Sequence, residues 1–487
     1  MKRTLLTLLG VAFLAALPAA VQAQFTFTAN NGAITITGYT GPGGNVTIPS
    51  ATNGYPVTSI GDRAFSYCYG LTSLTIPNSV TTIGAAAFIG CSGLSAITVD
   101  SANSSYRSMA GVLFDKGQNT LIAYPAGKAG SNYSISNSVT TIGRDAFAYC
   151  SGLRSLTIPN SVTNIGAAVF TGCSGLSAIT VDSANACYSS MVGVLFDKSQ
   201  NTLIAYPAGK AESSYSISSS VTTIGSEAFL LCSGLTNVTI PNSVTSIGDA
   251  AFFNCSGLST ITVDLANLSY SSLAGVLFDK GQNTLIAYPA GKAGNNYSIP
   301  NGVTTIGSDS FAYCAGLTNL MIPSSVTTIG SHAFSFCSSL ASLTIPNSVT
   351  TIGGAAFLLC SNVRGFYFQG NASSLTLGPM AFSGADRATV YYLPGTTGWG
   401  PTFGGRPTRL WNPRALAGDA SFGVGTNGFG FKITGTANIP VVVEASADLA
   451  SGAWVPLRSL SLTNGLVYFS DPDWTNHPTR LYRLRSP

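Results

Sequence analysis

The chain has 487 residues, of which only 8% are charged, and its net charge is +4. This length exceeds that of an ordinary single domain, so it predicts several domains or one elongated array of repeats. A normal apolar fraction argues against disorder. The weak, scattered positive charge argues against a nucleic-acid partner, and only the end is locally basic, at Arg480, Arg483 and Arg485.

The first 23 residues are typical of a cleavable signal peptide. Lys2 and Arg3 precede an apolar run that continues to Leu17, and small residues stand at Val21 and Ala23. We therefore expect cleavage near Ala23 and a secreted or cell-surface mature protein. No cysteine follows this site to carry a lipid, and no later stretch reaches the roughly 18 apolar residues of a membrane span.

Residues 24–56 predict an N-terminal β cap. Short alternating strands are expected around 34–36 and 46–48, separated by the Gly-Pro-Gly-Gly turn at 41–44. We expect this segment to cover the apolar end of the first repeat.

A signature, V-[T]-x-I-G-x-x-x-F-x-x-C, then occurs nine times, beginning at Val57. The copies start 23 or 59 residues apart, so 23-residue units alternate with units that carry a 36-residue insertion. Between signatures, segments such as 71–77 show the period-2 pattern of a short strand that ends at a proline. Units of this length with an L-x-x-L-x-I strand predict a mainly β, leucine-rich-repeat solenoid over residues 57–410.

Stacking of the coils places equivalent side chains in columns. The signature phenylalanines are expected to form a continuous aromatic column: Phe65, Phe88, Phe147, Phe170, Phe229, Phe252, Phe311, Phe334 and Phe357. The signature glycine, Gly84 in the second copy, predicts either a positive φ or a close approach between coils, so Gly84→Val should be disruptive.

Nine of the ten cysteines occupy one repeat position: Cys68, Cys91, Cys150, Cys173, Cys232, Cys255, Cys314, Cys337 and Cys360. This repetition favours a small apolar thiol packed in each coil. Disulfides between stacked neighbours are the alternative in an oxidising compartment. Cys187 lies outside the pattern, where the other two copies have Ser105 and Ser269, and is interpreted as an incidental thiol.

The insertion carries Gly-Val-Leu-Phe-Asp-Lys at 111–116 and Thr-Leu-Ile-Ala-Tyr-Pro-Ala-Gly-Lys at 120–128, and it returns at 193–210 and 275–292. Together with the signature, these motifs resemble the BspA-like leucine-rich repeat family of bacterial surface and secreted proteins, where such a hairpin recurs between coils. The resemblance implies adhesion or another extracellular contact, and no defined catalytic residues. A degenerate tenth unit at 377–382, followed by a strand at 389–394, predicts a capping repeat.

Residues 415–487 predict a separate, small β-sandwich-like module. The expected strands are 429–433, 439–445, 454–457, 466–469 and 481–484. The V-E-A-S-x-D-L motif, the D-P motif and the R-x-Y-R-x-x-S-P ending resemble C-terminal modules of other secreted bacterial proteins. Attachment, secretion and a purely structural role all stay open, and the structural role is the default.

The residues offer little catalytic chemistry. The two histidines, His332 and His477, have no obvious partner. Two carboxylate positions each recur three times, which is not how a single active site is built: Asp100, Asp182 and Asp264 at one position, and Asp115, Asp197 and Asp279 at the other. The Asp471-Pro-Asp473 turn supplies too few oxygen ligands for calcium. We expect no enzyme, no cofactor and no metal site.

Two surfaces are candidates for binding. The first is an outward-facing threonine column on the L-x-x-L-x-I strands, interrupted by Met321: Thr75, Thr98, Thr157, Thr180, Thr239, Thr262 and Thr344. The second is a set of insertion side chains that could give three weak sites: Lys116, Tyr124, Lys128, Lys198, Tyr206, Lys210, Lys280, Tyr288 and Lys292. The alternative is that the threonines serve strand formation and solubility and the insertion side chains serve packing.

The leading functional hypothesis is a binding or adhesion protein whose solenoid contacts an extracellular protein or polysaccharide. A structural surface-layer or matrix component without a specific ligand is the rival hypothesis. A hydrolase is a remote third.

Overall fold

The computed structural model describes residues 24–448, 453–477 and 479–486. In these residues almost all regular structure is short β-strand, and the only helical elements are the 3₁₀ turns Ala372–Ser374 and Trp474–Asn476. The predicted leucine-rich-repeat solenoid of 23-residue coils is confirmed, because strands of successive coils pair in parallel 23 residues apart. The chain divides into two compact units, one reaching Lys198 and the other beginning at Ser199.

The first unit opens with the cap. Phe25–Asn30 pairs antiparallel with Ala33–Tyr39, which runs parallel to Tyr55–Ile60. Ala51–Thr52 pairs antiparallel with Tyr55–Ile60, while Gly44–Thr47 runs parallel to the next strand of the solenoid. The strands predicted near 34–36 and 46–48 are present, and the strand that begins at Phe25 is additional.

Each regular coil contributes two strands, which we call the face strand and the signature strand. The face strands come from L-x-x-L-x-I and its equivalents: Leu71–Ile76, Ala96–Val99, Asn132–Ser134, Ser155–Ile158, Ala178–Val181, Ser214–Ser216, Asn237–Ile240, Thr260–Val263, Asn296–Ser298, Asn319–Met321, Ser342–Ile345, Gly365–Phe368 and Thr389–Tyr392. The signature strands are short: Thr82–Ile83, Thr141–Ile142, Asn164–Ile165, Thr223–Ile224, Ser246–Ile247, Thr305–Ile306, Thr328–Ile329, Thr351–Ile352 and Thr376–Leu377.

Neighbouring face strands pair in parallel and in the same register. In the first unit Leu74 pairs with Ile97, and Thr75 pairs with Thr98. Leu74 and Ile97 are fully buried, whereas Thr98 is exposed. The alternation of the strand therefore sends one column of side chains into the core and the next column to the surface.

The turn around the signature phenylalanine uses left-handed backbone twice per coil. In the first coil these positions are Arg63 (φ 54°) and Tyr67 (φ 57°), two residues before and two after Phe65. A left-handed non-glycine residue costs roughly 1–2 kcal/mol. The same turn lets Arg63 N–H donate to Ala85 O of the next coil at 3.0 Å and Tyr67 N–H donate to Ile89 O at 2.8 Å. Hydrogen bonds between coils thus continue through the turn and help to offset its strain.

The insertion is more than a hairpin, because its last strand acts as a further coil. Tyr106–Met109 and Val112–Asp115 pair antiparallel, as do Val112–Asp115 and Thr120–Ala123. Thr120–Ala123 then runs parallel to the signature strand Thr141–Ile142. The corresponding strands of the later copies are Tyr188–Met191, Val194–Asp197, Thr202–Ala205, Tyr270–Leu273, Val276–Asp279 and Thr284–Ala287.

The expectation of one continuous phenylalanine column is wrong. In the first unit Phe65 stacks near Phe88 (centroids 5.9 Å apart), and a second stack begins at Tyr124, which lies 5.3 Å from Phe147. Among the described residues no ring contact joins Phe88 to Tyr124, and both line a small cavity of about 70 Å³. In the second unit Phe252 likewise lines a cavity, of about 200 Å³, opposite Tyr288. The insertion therefore breaks the column and supplies a tyrosine to start the next stack.

The second unit ends in two small sheets. One contains Arg414–Leu416, Gly423–Gly425, Gly428–Thr434 and Leu466–Asp471, and the other contains Pro440–Ser446, Val455–Ser461 and Leu481–Arg485. Between the last face strands and these sheets lie two further strands, Thr402–Phe403 and Arg406–Leu410.

The terminal sheets share a core with the last coils. Tyr367 and Tyr391 stack at 4.7 Å and pack with Phe431, Ile433 and other buried residues of the sheets. The five predicted strands of this module are present, each within a few residues of its expected bounds, whereas the strands at 414–416 and 423–425 were not predicted.

Candidate functional site

The predicted threonine column lies on the outer side of the face strands, but it is divided into short rows. In the first unit Thr47, Thr75 and Thr98 form one row, because they pair across three parallel strands. The rows that follow, one in the first unit and one in the second, are Ser134–Thr157–Thr180 and Ser216–Thr239–Thr262. Thr98, Thr157, Thr180, Thr239 and Thr262 are exposed, whereas Thr75 is half-buried.

The hydroxyl groups of these exposed threonines have no hydrogen-bond partner within the described part of the chain. A second set of exposed threonines, which the sequence did not single out, differs in this respect. Thr81, Thr140 and Thr163 follow the signature valine, and each hydroxyl donates to a backbone carbonyl of the preceding coil at 3.3–3.4 Å. Of these two sets in the described residues, only the face-strand threonines therefore keep the hydroxyl proton free to donate.

The last predicted member of the column, Thr344, differs from the others. Met321 occupies the position beside Ser298 and is 66% exposed. Thr344 is half-buried, and its hydroxyl lies 3.3 Å from that of Ser486 in the terminal module. Beyond Thr344 the row continues as Tyr367 and Tyr391, both buried under that module.

The structure places the insertion side chains in structural contacts. The three insertion tyrosines, Tyr124, Tyr206 and Tyr288, are buried. Burial raises the pKa of Tyr288 to about 12. Lys116 Nζ donates to Asn103 O, and Lys128 Nζ donates to Ala110 O at 2.5 Å. These lysines therefore tie the insertion strands to nearby loop backbone.

Their counterparts behave in the same way. Lys198 Nζ donates to Ser183 O at 3.0 Å, Lys280 Nζ donates to Asn267 O at 2.5 Å, and Lys292 Nζ donates to Ala274 O at 2.5 Å. Lys210 forms an ion pair with Glu212 at 3.4 Å. Each of these lysines is thus held by a partner close to it in its own insertion.

Sequence reasoning missed a buried asparagine at the start of each insertion. Asn103 has no exposed surface, and its Nδ2 donates to Pro77 O and Val80 O, both at 2.8 Å. Its Oδ1 accepts from Ser105 N at 2.9 Å and Tyr106 N at 2.8 Å. The threefold D-x-A-N motif at 100–103, 182–185 and 264–267 was the available signal.

Six copies of the BspA type leucine-rich repeat region match the sequence, over residues 44–118, 126–200, 208–280 and 290–397. These stretches include all nine signatures and part of each insertion, and they make up most of the chain. The chain belongs to the BspA-type leucine-rich repeat family. This match agrees with the resemblance carried by the signature. No curated protein matches the chain.

Several solved structures of bacterial proteins are similar to the chain. A leucine-rich cell surface protein from Faecalibacterium prausnitzii is 27% identical, with 76% of this chain and 93% of that chain covered and a TM-score of 0.34. The pneumococcal vaccine antigen PcpA is 22% identical, with coverages of 76% and 79% and a TM-score of 0.37. A leucine-rich repeat protein from Eubacterium ventriosum is 23% identical, with coverages of 73% and 91% and a TM-score of 0.38.

The cysteines of the BspA-type coils pack against the preceding coil. Cys91 Sγ donates to Phe65 O at 2.9 Å, and Cys255 Sγ donates to Phe229 O at 2.8 Å. Burial raises the pKa of Cys91 to about 12, so its thiol stays neutral. All ten cysteines are free thiols, and only Cys68 and Cys187 are half-buried rather than buried. These contacts support the packing interpretation.

Two further polar residues that the sequence analysis considered for chemistry in this BspA-type chain are Asp471 and His332. Asp471 is buried, forms an ion pair with Arg480 at 2.6 Å and accepts from Tyr482 Oη at 2.9 Å. His332 is exposed at one of the left-handed turn positions (φ 54°). The described ranges contain no group of three or more His, Cys, Asp or Glu residues that could hold a metal ion. Within them, no helix has the length and apolar character needed to cross a bilayer.

Proposed function

We propose that this BspA-type chain is a secreted or cell-surface binding protein that contacts an extracellular protein or polysaccharide through its face-strand threonine rows. The observation that supports this proposal is a set of exposed hydroxyls that have no hydrogen-bond partner in the described residues, at Thr98, Thr157, Thr180, Thr239 and Thr262. Export rests on the predicted signal peptide at 1–23, which lies outside the described residues.

The rows suit a ligand with many neutral polar groups. Neighbouring strands are about 4.8 Å apart, so the hydroxyls repeat at a fixed short spacing, and each can both donate and accept. Few charges lie on this chain, so the contact would depend on hydrogen bonds and only weakly on salt. A hydroxyl-rich polysaccharide or a polar protein surface offers such groups.

Binding of the full mature chain to glycan and extracellular-protein arrays, followed by titration of each hit, tests the proposal. We expect saturable binding, and we expect the triple variant Thr98→Glu, Thr157→Glu, Thr180→Glu to weaken it at least about tenfold, because three carboxylates replace the contacting hydroxyls.

The matched control is Thr81→Glu, Thr140→Glu, Thr163→Glu, which places the same three substitutions on the threonines already bonded to backbone. This control should bind as the unmodified chain does, with unchanged circular dichroism for both variants. Equal losses in both variants would contradict the assigned surface. Ordered self-assembly without any array hit would favour the structural surface-layer hypothesis instead.

A further inference from the structure

The terminal module contains an apolar cleft between its two sheets. The cleft has a volume of about 630 Å³, and its wall includes the rings of Phe422, Phe429, Trp474 and Tyr482. Phe422 is 44% exposed, and its ring centroid lies 5.3 Å from that of Phe429. Phe429, Trp474 and Tyr482 are half-buried, so one exposed ring and three partly accessible rings meet at this place. Such a cluster is unusual for a surface that contacts only water.

One side of this cleft is an unpaired strand edge. Leu481–Arg485 pairs antiparallel with Pro440–Ser446 on one side and is the last strand in the order of its sheet. On the other side, no strand pairs with it in the described residues, and residues from Leu481 to Leu484 line the cleft. The backbone groups of a strand edge are ready to pair with another extended chain.

We propose that this cleft binds an extended segment of another protein, which adds to the sheet as a strand beside Leu481–Arg485. Backbone hydrogen bonds to the free edge would hold the segment, and alternate apolar side chains would cover Phe422 and Phe429. The site is distinct from the threonine rows, so it goes beyond the function proposed for the solenoid.

The charges beside the edge select the chemistry of the segment. Arg483 and Arg485 both bond Glu444, with Nε–Oε distances of 2.7 and 2.5 Å, and remain 47% and 43% exposed. Two guanidinium groups share one carboxylate, so a positive charge is left over. In a bound segment that pairs with Leu481–Arg485, every second side chain would lie next to these arginines. Acidic residues are therefore favoured at those positions of the segment.

The same arginines disfavour pairing between two copies of this edge. An antiparallel pair centred on Arg483 would place this residue directly opposite its own copy. Like charges at opposed positions destabilise a strand pair, and charged side chains are a common means of preventing edge association. The occupant is therefore a different chain with alternating acidic and apolar residues.

Fluorescence anisotropy with the full-length protein tests this proposal. The probe is a labelled octapeptide of alternating glutamate and valine, compared with a lysine–valine octapeptide and with the glutamate–valine peptide N-methylated at alternate amides. We expect saturable binding of the first peptide and at least about tenfold weaker binding of the other two, which lack charge complementarity or backbone donors.

Phe422→Ala should weaken binding of the glutamate–valine peptide several-fold, because this exposed ring covers the apolar side of the segment. Tyr468→Ala is the matched control, since Tyr468 is 46% exposed in the same sheet but does not line the cleft. Equal binding of the N-methylated peptide, or no saturable binding, would overturn the proposal. Sedimentation could instead show a dimer that dissociates in the Phe422→Ala variant. That result would also overturn the proposal, because a second copy of the chain would then occupy the cleft.

Discussion

The signature glycine is conserved among the coils of this chain because neighbouring backbones approach closely. A Cβ added to Gly84 would lie 2.5 Å from Asp62 N, and one added to Gly248 would lie 2.4 Å from Ser226 N. Neither glycine has a positive φ, so close approach is the alternative that the structure selects. At Gly225 the contact relaxes to 3.0 Å from Leu203 O, because the preceding coil there is an insertion strand without the phenylalanine turn.

Gly248→Ala should therefore destabilise the protein by about 2 kcal/mol, because the methyl group forces two coils apart. Urea denaturation of the full chain, followed by circular dichroism, measures this change. Gly316→Ala is the control: a Cβ at this glycine meets nothing within 4 Å. The control should be neutral or slightly stabilising. A loss at Gly248→Ala no larger than that at the control would contradict the close-approach explanation.

At the scale of the element, the insertion separates two aromatic stacks: it closes the coil that ends one stack and supplies the first ring of the next. Tyr106 caps the preceding signature strand, since its Oη accepts from Ile83 N at 3.0 Å. Asn103 fixes the loop that carries Tyr106 into this position. Thr120–Ala123 then restarts the parallel ladder, and Tyr124 takes the place of the phenylalanine.

Asn103→Ala should destabilise the first insertion by roughly 3 kcal/mol, because it leaves two carbonyls and two amides in a buried loop without their partner. Hydrogen exchange resolved by mass spectrometry should show faster exchange across residues 104–116. Asn137→Ala removes an exposed asparagine of the same unit and should leave exchange unchanged. Uniform protection in the Asn103 variant would show that the lysine contacts alone hold the insertion.

The sequence predicted the elements whose pattern repeats many times. The face strands and the solenoid follow from nine copies of one signature, and alternating apolar residues revealed the strands near Phe431 and Val443. The sequence did not predict that Asn103 holds a buried loop by hydrogen bonds. A polar residue in a loop is normally interpreted as part of a surface turn, and only the structure shows that this loop is buried. For Tyr124 the sequence left binding and packing open, because its place in the aromatic stack depends on which coil lies beside it.

At the scale of the whole molecule, stability comes from the repetition of the same contacts rather than from cross-links. Each coil covers the apolar face of the next, so five of the buried cysteines repeat one contact, in which the thiol donates to the phenylalanine carbonyl of the preceding coil. Cys173 Sγ donates to Phe147 O at 2.9 Å, and Cys360 Sγ donates to Phe334 O at 3.0 Å. A disulfide between neighbouring coils would require these thiols to leave carbonyls that they already contact.

The accessibility of the ten thiols therefore reports whether all coils are folded. Maleimide labelling of the native protein, followed by intact-mass measurement, should modify only the half-buried Cys68 and Cys187, because the others are buried. Burial also raises the pKa of Cys360 to about 12, which keeps the reactive thiolate scarce near neutral pH. In guanidinium chloride without reductant all ten should react. Fewer than ten modified thiols under those conditions would show that stacked cysteines pair as disulfides, and labelling of more than two in the native state would show that some coils open readily.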